Sequence, residues 1–304
     1  MMDGRSATLT SEQAKIGDKW SRQARGVRTR WWQSNRIKRH INRELAGIDN
    51  VGTSAGFNEL LRQTGKVFDR AISVGCGIAS KEAVLLRMGL VSRFDCYELS
   101  EARIRTARER SKRLGLQERF SFYLEDAFKK PLPNDYDLVY WNNSLHHMMD
   151  VSRAIQWSRD RLRLGGYFAM DDFVGPTGFQ WDDVHLHYVN SFRARLPDRM
   201  FIDPTRPPRR YPRIVRRPDP QRLWAKDPSE AADCGRILPL LREAFPGVRV
   251  VPTGGAIYHT ALNNIIANFD EDGDADLIDE ALYLDDFLRK LGRSNYAVAL
   301  AGKL

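Results

Sequence analysis

The 304-residue sequence predicts an α/β fold, a mostly parallel sheet covered by helices on both faces, and three observations carry that prediction. From residue 67 onward short apolar runs alternate with longer amphipathic ones, the pattern of strands joined by crossover helices. A glycine-bearing turn, Ser73-Val74-Gly75-Cys76-Gly77-Ile78-Ala79-Ser80, follows the first apolar run and opens a helix. The composition, 42% hydrophobic and 29% charged, is that of a folded chain able to bury a sizeable core.

Taken in order, residues 11–66 read as helical, with Trp20, Val27, Trp31, Ile37, Ile41 and Leu45 on one apolar face between basic positions. Residues 71–75 read as a strand, 80–88 as a helix and 93–98 as a second strand. The helix at 100–114 is capped by Ser100, carries Arg103, Arg105, Arg108 and Arg110 on its polar side, and stops at Gly115. Further strands fall at 120–124, 136–141 and 166–173, with a helix at 151–164 before the last of them. The regularity then lapses: residues 175–228 hold most of the prolines and read as an insertion, with a helix at 181–195 and an extended Arg/Pro stretch at 204–220. A helix at 229–245, a strand at 248–251, two helices between 256 and 291 and a last strand at 296–300 complete the alternation. This divides the chain into an N-terminal helical extension, 1–66, and one domain, 67–304, with 175–228 as a lid inserted on the substrate side.

The formal charge is +9, unevenly placed. Residues 22–43 hold eight basic side chains and no acid, and residues 206–217 hold six Arg and no acid, which leaves the remainder at −5. Positive charge is therefore local, not the mark of a globally basic nucleic-acid binder. No run approaches the roughly 20 apolar residues of a membrane-spanning helix, and residues 1–20 lack the apolar centre of a signal peptide. Three cysteines, Cys76, Cys96 and Cys234, are too few and scattered for a disulfide framework. The expected setting is cytoplasmic.

The Gly75–Gly77 turn lets the backbone approach a ligand closely, beyond the carboxyl end of a parallel strand where such sheets bind ligands. Glu98 ends the second strand, 23 residues after Gly75, where a carboxylate can accept both hydroxyls of a ribose. Glu125-Asp126-Ala127 follows the third strand, and Tyr136-Asp137-Leu138-Val139-Tyr140-Trp141-Asn142-Asn143-Ser144-Leu145-His146-His147 runs along the fourth and off its end. With these residues the sequence resembles the class I S-adenosylmethionine-dependent methyltransferases, over roughly residues 67–174. The resemblance implies a Rossmann-like seven-stranded sheet, mostly parallel, whose last strand is antiparallel, and S-adenosyl-L-methionine as cofactor. It places Gly75 and Gly77 along the methionine part, Glu98 on the ribose diol, Leu99 on the adenine, Asp126 and Ala127 at its amino edge and Asn142 beside the sulfonium. Two positions depart from the family pattern: Ser73 stands where an acid is usual and Ala79 where a third glycine is usual, and both belong to the expected cofactor set.

Methyl transfer is an in-line displacement, so the protein must orient the acceptor, exclude water and, for a hydroxyl, take its proton. Histidine suits that task near neutrality. His146 and His147 are the candidate bases, with Asp172 orienting the base or the acceptor and Asp171 beside it on the acceptor. These acids could also hold a divalent metal, but the sequence shows no third ligand and no metal is expected. The segments Val174-Gly175-Pro176-Thr177-Gly178-Phe179-Gln180-Trp181, Asp227-Pro228-Ser229-Glu230-Ala231 and Gly254-Gly255-Ala256-Ile257-Tyr258-His259 resemble a set of bacterial methyltransferases of carbohydrate and surface-polysaccharide biosynthesis. That likeness implies a lid over the acceptor, with Trp181 and His259 as pocket walls. Arg209 and Arg210, in the stretch 206–217, are the candidates for gripping an anionic acceptor.

The expected partners are thus a small-molecule or glycan acceptor, anionic in character, such as a sugar or glycoconjugate hydroxyl, and a second copy of the chain as a homodimer. Two other classes stay open. One is an RNA- or DNA-modifying methyltransferase, for which the basic segments and Trp20, Trp31 and Trp32 speak; against it, the fourth strand ends in Asn142-Asn143-Ser144-Leu145 and not in an Asn/Asp-Pro-Pro-aromatic run. The other is a non-catalytic binding protein on the same fold. The acceptor atom, oxygen, nitrogen or carbon, is not legible in the sequence.

Overall fold

The computed structural model describes residues 30–304. The expected helix start at residue 11, Trp20 and Val27 lie outside the described residues, as do residues 22–29 of the basic run at 22–43. The elements are α1 (Asn35–Ala46), α2 (Ala55–Arg62), β1 (Phe68–Val74), α3 (Ser80–Arg87), β2 (Val91–Tyr97), α4 (Glu101–Arg113), β3 (Phe120–Tyr123), β4 (Tyr136–Asn142), α5 (Val151–Arg161), β5 (Leu162–Phe173), α6 (Asp183–Arg195), α7 (Pro220–Lys226), α8 (Ile237–Ala244), β6 (Arg249–Gly254), α9 (Tyr258–Leu262), α10 (Ala275–Lys290) and β7 (Tyr296–Gly302).

One seven-stranded sheet runs in the order β3-β2-β1-β4-β5-β7-β6. β1 to β5 pair in parallel, whereas β7 is antiparallel to both β5 and β6. The chain order reverses between β1 and β4, which opens a crevice at the carboxyl ends of those strands. Each face carries its own core. Ile72, Val139, Phe168, Met170 and Trp141 are buried toward α5, α8 and α10, while Ala71, Leu138, Tyr140, Phe94 and Cys96 are buried toward α2 and α3.

Three expected helices end differently, for local reasons. The N-terminal helix is broken into α1 and α2, because Gly47 closes α1 at φ 69° and the buried Asn42 side chain ties the intervening loop. Asn42 donates to the carbonyls of Asn50 and Gly52 at 2.7 and 2.9 Å and accepts from the Gly56 amide at 2.7 Å. The Ser100 cap holds as expected, with its hydroxyl accepting from the Arg103 amide. The helix expected at 151–164 stops at Arg161 and β5 begins at once, longer than expected. The helix expected at 229–245 forms only from Ile237. Residues 229–236 turn instead, because Asp227 takes both the amide and hydroxyl of Ser229 and Ala231 adopts φ 50°.

Four side chains of the N-terminal basic segment, Arg36, Arg39, His40 and Arg43, are paired within the fold. Arg36 meets Asp279 through two 2.6 Å bonds, Arg39 and Arg43 meet Asp49, and His40 meets Asp286 at 3.2 Å. The acids of α10 thus receive α1 and fasten the extension to the sheet domain.

Candidate active site

A cavity of about 1,200 Å³ opens at the crevice, under α1, the α1–α2 loop and the insertion. It exceeds the usual 300–1,000 Å³ of a single-ligand pocket, and its two ends differ in chemistry.

At one end the β1–α3 turn and the ends of β2 and β3 converge. Gly75 lines the wall at φ 70°, and a Cβ there would lie 2.8 Å from that of Ser144, so only glycine fits. The buried Glu98 carboxylate accepts from the amides of Gly77 at 2.9 Å, Leu99 at 2.8 Å and Ser100 at 3.0 Å. These bonds tie the glycine turn to the end of β2 and aim the carboxylate at the cavity, which Leu99, Asp126 and Ala127 also line. Asp126 caps the next short turn by accepting from the Phe128 amide at 2.9 Å. Ala79 is buried at φ 51° as the residue before α3, a left-handed position that a glycine would fill more easily.

Ser73 lies beneath this wall and does not line it. Its hydroxyl donates to Glu82 of α3 at 2.7 Å, so a carboxylate does stand behind the turn, from the helix and not the strand. Burial pushes the Glu82 carboxyl up from its ordinary pKa. Asn142 likewise turns from the cavity: it donates to the Tyr140 hydroxyl at 3.0 Å and reaches Ser54, and Asn143 at φ 52° takes the lining position.

Successive residues of β5 face opposite sides of the sheet, which separates the two acids expected to work together. Asp171 does not join the histidines. It accepts from the Ser54 hydroxyl at 2.6 Å, and Lys81 reaches the same hydroxyl at 2.9 Å. Burial raises the Asp171 pKa and lowers that of Lys81, each opposed by the other's charge. Ser54 and Lys81 were not expected as site residues; Lys81, one residue inside the helix after the glycine turn, had the only positional signal.

Asp172 faces the other way and is fully buried. Its Oδ2 accepts from the amides of Ser144 and Leu145 at 2.9 and 2.7 Å, and its Oδ1 accepts from the Phe173 amide at 2.8 Å and meets His146 Nδ1 at 2.5 Å. The carboxylate accepts the Nδ1–H hydrogen bond, which leaves Nε2 with the lone pair. Burial works against the charged imidazole, but the Asp172 charge and hydrogen bond prevail and raise the His146 pKa. His147 packs its ring 4.1 Å from that of His146 and reaches Ser229 Oγ through Nδ1 at 3.2 Å. Both histidines line the cavity.

The far end is walled by aromatic side chains. Phe173 meets Phe179, His259 and Tyr296 edge-on at 5.2, 5.7 and 5.5 Å, Trp181 stacks on Phe179 at 5.6 Å, and Trp31 closes against Tyr296 at 5.2 Å. Trp181 and His259 both line the cavity. Burial, then the nearby charges of Arg30, His185 and His146, push the His259 pKa down to about 3, so it is neutral.

The arginine stretch stands elsewhere. Arg209 and Arg210 do not line the cavity; Arg210 donates to the Asp198 carbonyl at 3.2 Å, and Arg213 and Arg217 pair with Asp198 and Asp183. In this extended segment the odd-numbered Tyr211 and Val215 turn partly inward. Of the six arginines only Arg216 reaches the cavity, at its exposed rim, while Arg193 of α6 reaches it from a buried position. Arg193 donates to the carbonyls of Arg213, Pro212 and Ala261, and burial with the neighbouring Arg213 charge lowers its pKa to about 10.

Residues 72–170 match the family described as "Methyltransferase domain". Over 125 residues the chain is 30% identical to 27-O-demethylrifamycin SV methyltransferase of Amycolatopsis mediterranei (strain S699), a stretch covering 40% of this chain and 46% of that relative. The match thus spans less than half of that relative. In three dimensions the chain resembles geranyl diphosphate C-methyltransferase from Streptomyces coelicolor A3(2), solved with Mg2+, geranyl diphosphate and S-adenosyl-L-homocysteine, at 13% identity and TM-score 0.57 over 97% of this chain and 99% of the other. It also resembles the [4+2]-cyclase SpnF, at 18% identity and TM-score 0.50 over 98% of this chain and 99% of that one. With the strand order and the glycine turn in agreement, the chain has the Rossmann-like methyltransferase fold, and its residues 72–170 match a methyltransferase domain.

Proposed function

We propose that the protein transfers a methyl group from S-adenosyl-L-methionine to a hydroxyl of a small-molecule acceptor, with His146 as general base. The observation that carries this reading is the 2.5 Å contact of His146 Nδ1 with buried Asp172, which presents Nε2 at the cavity.

The residues present fit the cofactor. Its hydroxyl and amino groups are donors, and the polar end of the cavity is made of acceptors, Glu98 and Asp126, beside a glycine wall that a side chain would fill. Glu98 would hold the ribose diol, Leu99 pack on the adenine, Asp126 and Ala127 meet its amino edge, and Gly75 and Gly77 follow the methionine part. Bound there, the cofactor supplies an electrophilic methyl group on a sulfonium.

The chain's own work lies on the acceptor. His146 Nε2 would take the proton of the acceptor hydroxyl as that oxygen accepts the methyl group the cofactor would supply. Asp172 fixes the tautomer and steadies the imidazolium, a positioning role. The aromatic wall and insertion keep water out and orient the acceptor. Because that wall is apolar and His259 is neutral, it favours a neutral acceptor with an apolar body over the anionic one expected from Arg209 and Arg210. A sugar hydroxyl meets the same base if such a body carries it. The oxygen named in the rifamycin relative supports the choice of atom.

The test is a panel of apolar-bodied acceptors offered with cofactor, scored by mass spectrometry. Methyl ethers formed from the hydroxyl compounds are expected. Methylation of amine or carbon nucleophiles alone, with every hydroxyl untouched, contradicts the reading.

A further inference from the structure

At the acceptor end, side chains from two distant stretches meet. His146 and His147 leave β4 in a short helical turn, Leu145–His147, and Glu230 comes from the end of the insertion. One ligand atom of each lies within 4.8 Å of the others.

Both imidazoles are held from behind through Nδ1. Asp172, itself fixed by three backbone amides, holds that of His146. The Ser229 hydroxyl donates to Asp227 at 2.6 Å, so it accepts from His147 Nδ1–H at 3.2 Å. In each ring Nε2 therefore bears the lone pair. Imidazoles oriented by a carboxylate or hydroxyl on the far nitrogen are the usual companions of a metal ion.

We infer that His146, His147 and Glu230 bind one divalent first-row transition ion, of the Zn2+ or Co2+ class, with an open position toward the acceptor cavity. Two imidazoles and a carboxylate with open positions are a donor set such ions take. Mg2+ and Ca2+ favour all-oxygen sites. Ligand distances of about 2.0–2.2 Å draw the three atoms closer together than 4.8 Å, an adjustment that a half-buried glutamate side chain accommodates. The two readings share one atom: a lone pair on His146 Nε2 cannot hold an ion and take a proton at once, so an ion bound there would compete with the base of the proposed reaction and inhibit it.

The experiment is a Co2+ titration of the whole chain, without cofactor or acceptor, followed by visible absorption. One Co2+ per chain is expected, displaced by Zn2+ and not by a large excess of Mg2+. Glu230→Gln, nearly isosteric, and His147→Gln should each weaken Co2+ by about tenfold or more, and Ser229→Ala, which removes the partner of His147, by about tenfold. Unchanged thermal midpoints verify that the variants fold. Absence of the absorption band at millimolar Co2+, or equal affinity in Glu230→Gln and the parent, overturns the site. Because the readout is the metal's own spectrum, the result is independent of whether the chain methylates a hydroxyl.

Discussion

His146 illustrates how a residue's role comes from what stands behind it. The ring reaches the cavity because β4 ends at Asn142 and the next residues turn, and its orientation comes from Asp172, whose remaining capacity is filled by backbone amides. Asp172→Asn keeps the shape but gives the imidazole an amide in place of a carboxylate. We expect kcat to fall about tenfold or more with the KM for cofactor unchanged. Direct titration of His146 by NMR should give a pKa above the usual 6.5 in the parent and a lower one in the variant. The groups that set it are Asp172, Glu230 and Asp227, all acting to raise it against burial. A base must be unprotonated, so kcat/KM should climb with pH through that raised pKa and level off above it, and Asp172→Asn should move the inflection to lower pH. An inflection that stays put in the variant counts against the pairing. Gly75 shows the opposite case, a residue chosen for what it lacks. Gly75→Ala meets Ser144 at a left-handed backbone position, strain of about 1–3 kcal/mol, and calorimetry should record cofactor binding weaker by roughly tenfold to a hundredfold.

At the scale of elements, the strand–helix alternation was legible because buried parallel strands and their covering helices have distinct apolar periods. All seven strands lie where the apolar runs put them, within a few residues. The breaks were not legible where side chains set them: Asn42 holding the α1–α2 loop and Asp227 bending residues 229–236 are tertiary bonds with no periodic signature. The site divided along the same line. Residues at strand ends, Glu98, Asp126, His146 and Asp172, could be named because topology sends strand ends to the crevice. Trp181 and His259 could be named from a resemblance, whereas Lys81, Ser54 and the Phe173 and Tyr296 of the aromatic wall could not be, since their place depends on how the extension and insertion close. Face assignment misled as well: adjacent acids on β5 read as a pair, yet Asp171 goes to Ser54 and Asp172 to His146. The insertion offers its own test. Arg193 joins α6 to the extended segment and α9 through three carbonyls, and Arg193→Met leaves them unpaired in a buried place. A loss of about 2–4 kcal/mol in denaturant unfolding is expected; a loss below about 0.5 kcal/mol contradicts that role.

Across the whole molecule, the arginine-rich stretch stands mostly outside the cavity. The arginines of 206–217 mostly pair with Asp198, Asp183 and Asp203, and Arg216 alone of the six lines the cavity. The double variant Arg209→Ala, Arg210→Ala should leave the acceptor KM within about twofold, as for surface positions generally, and a rise of tenfold would restore the anionic-acceptor expectation. Among the described residues no helix is long and apolar enough to cross a membrane. What the fold does assemble is one crevice with the carboxylates of Glu98 and Asp126 at one end, an aromatic chamber at the other and His146 along its wall. The most direct test of that arrangement is the single-turnover methyl-transfer rate of His146→Ala at saturating cofactor, with cofactor affinity measured by calorimetry on the same samples. The account predicts unchanged affinity and a rate lower by about a hundredfold to ten-thousandfold. A variant that binds cofactor and transfers the methyl group at the parent rate would contradict it.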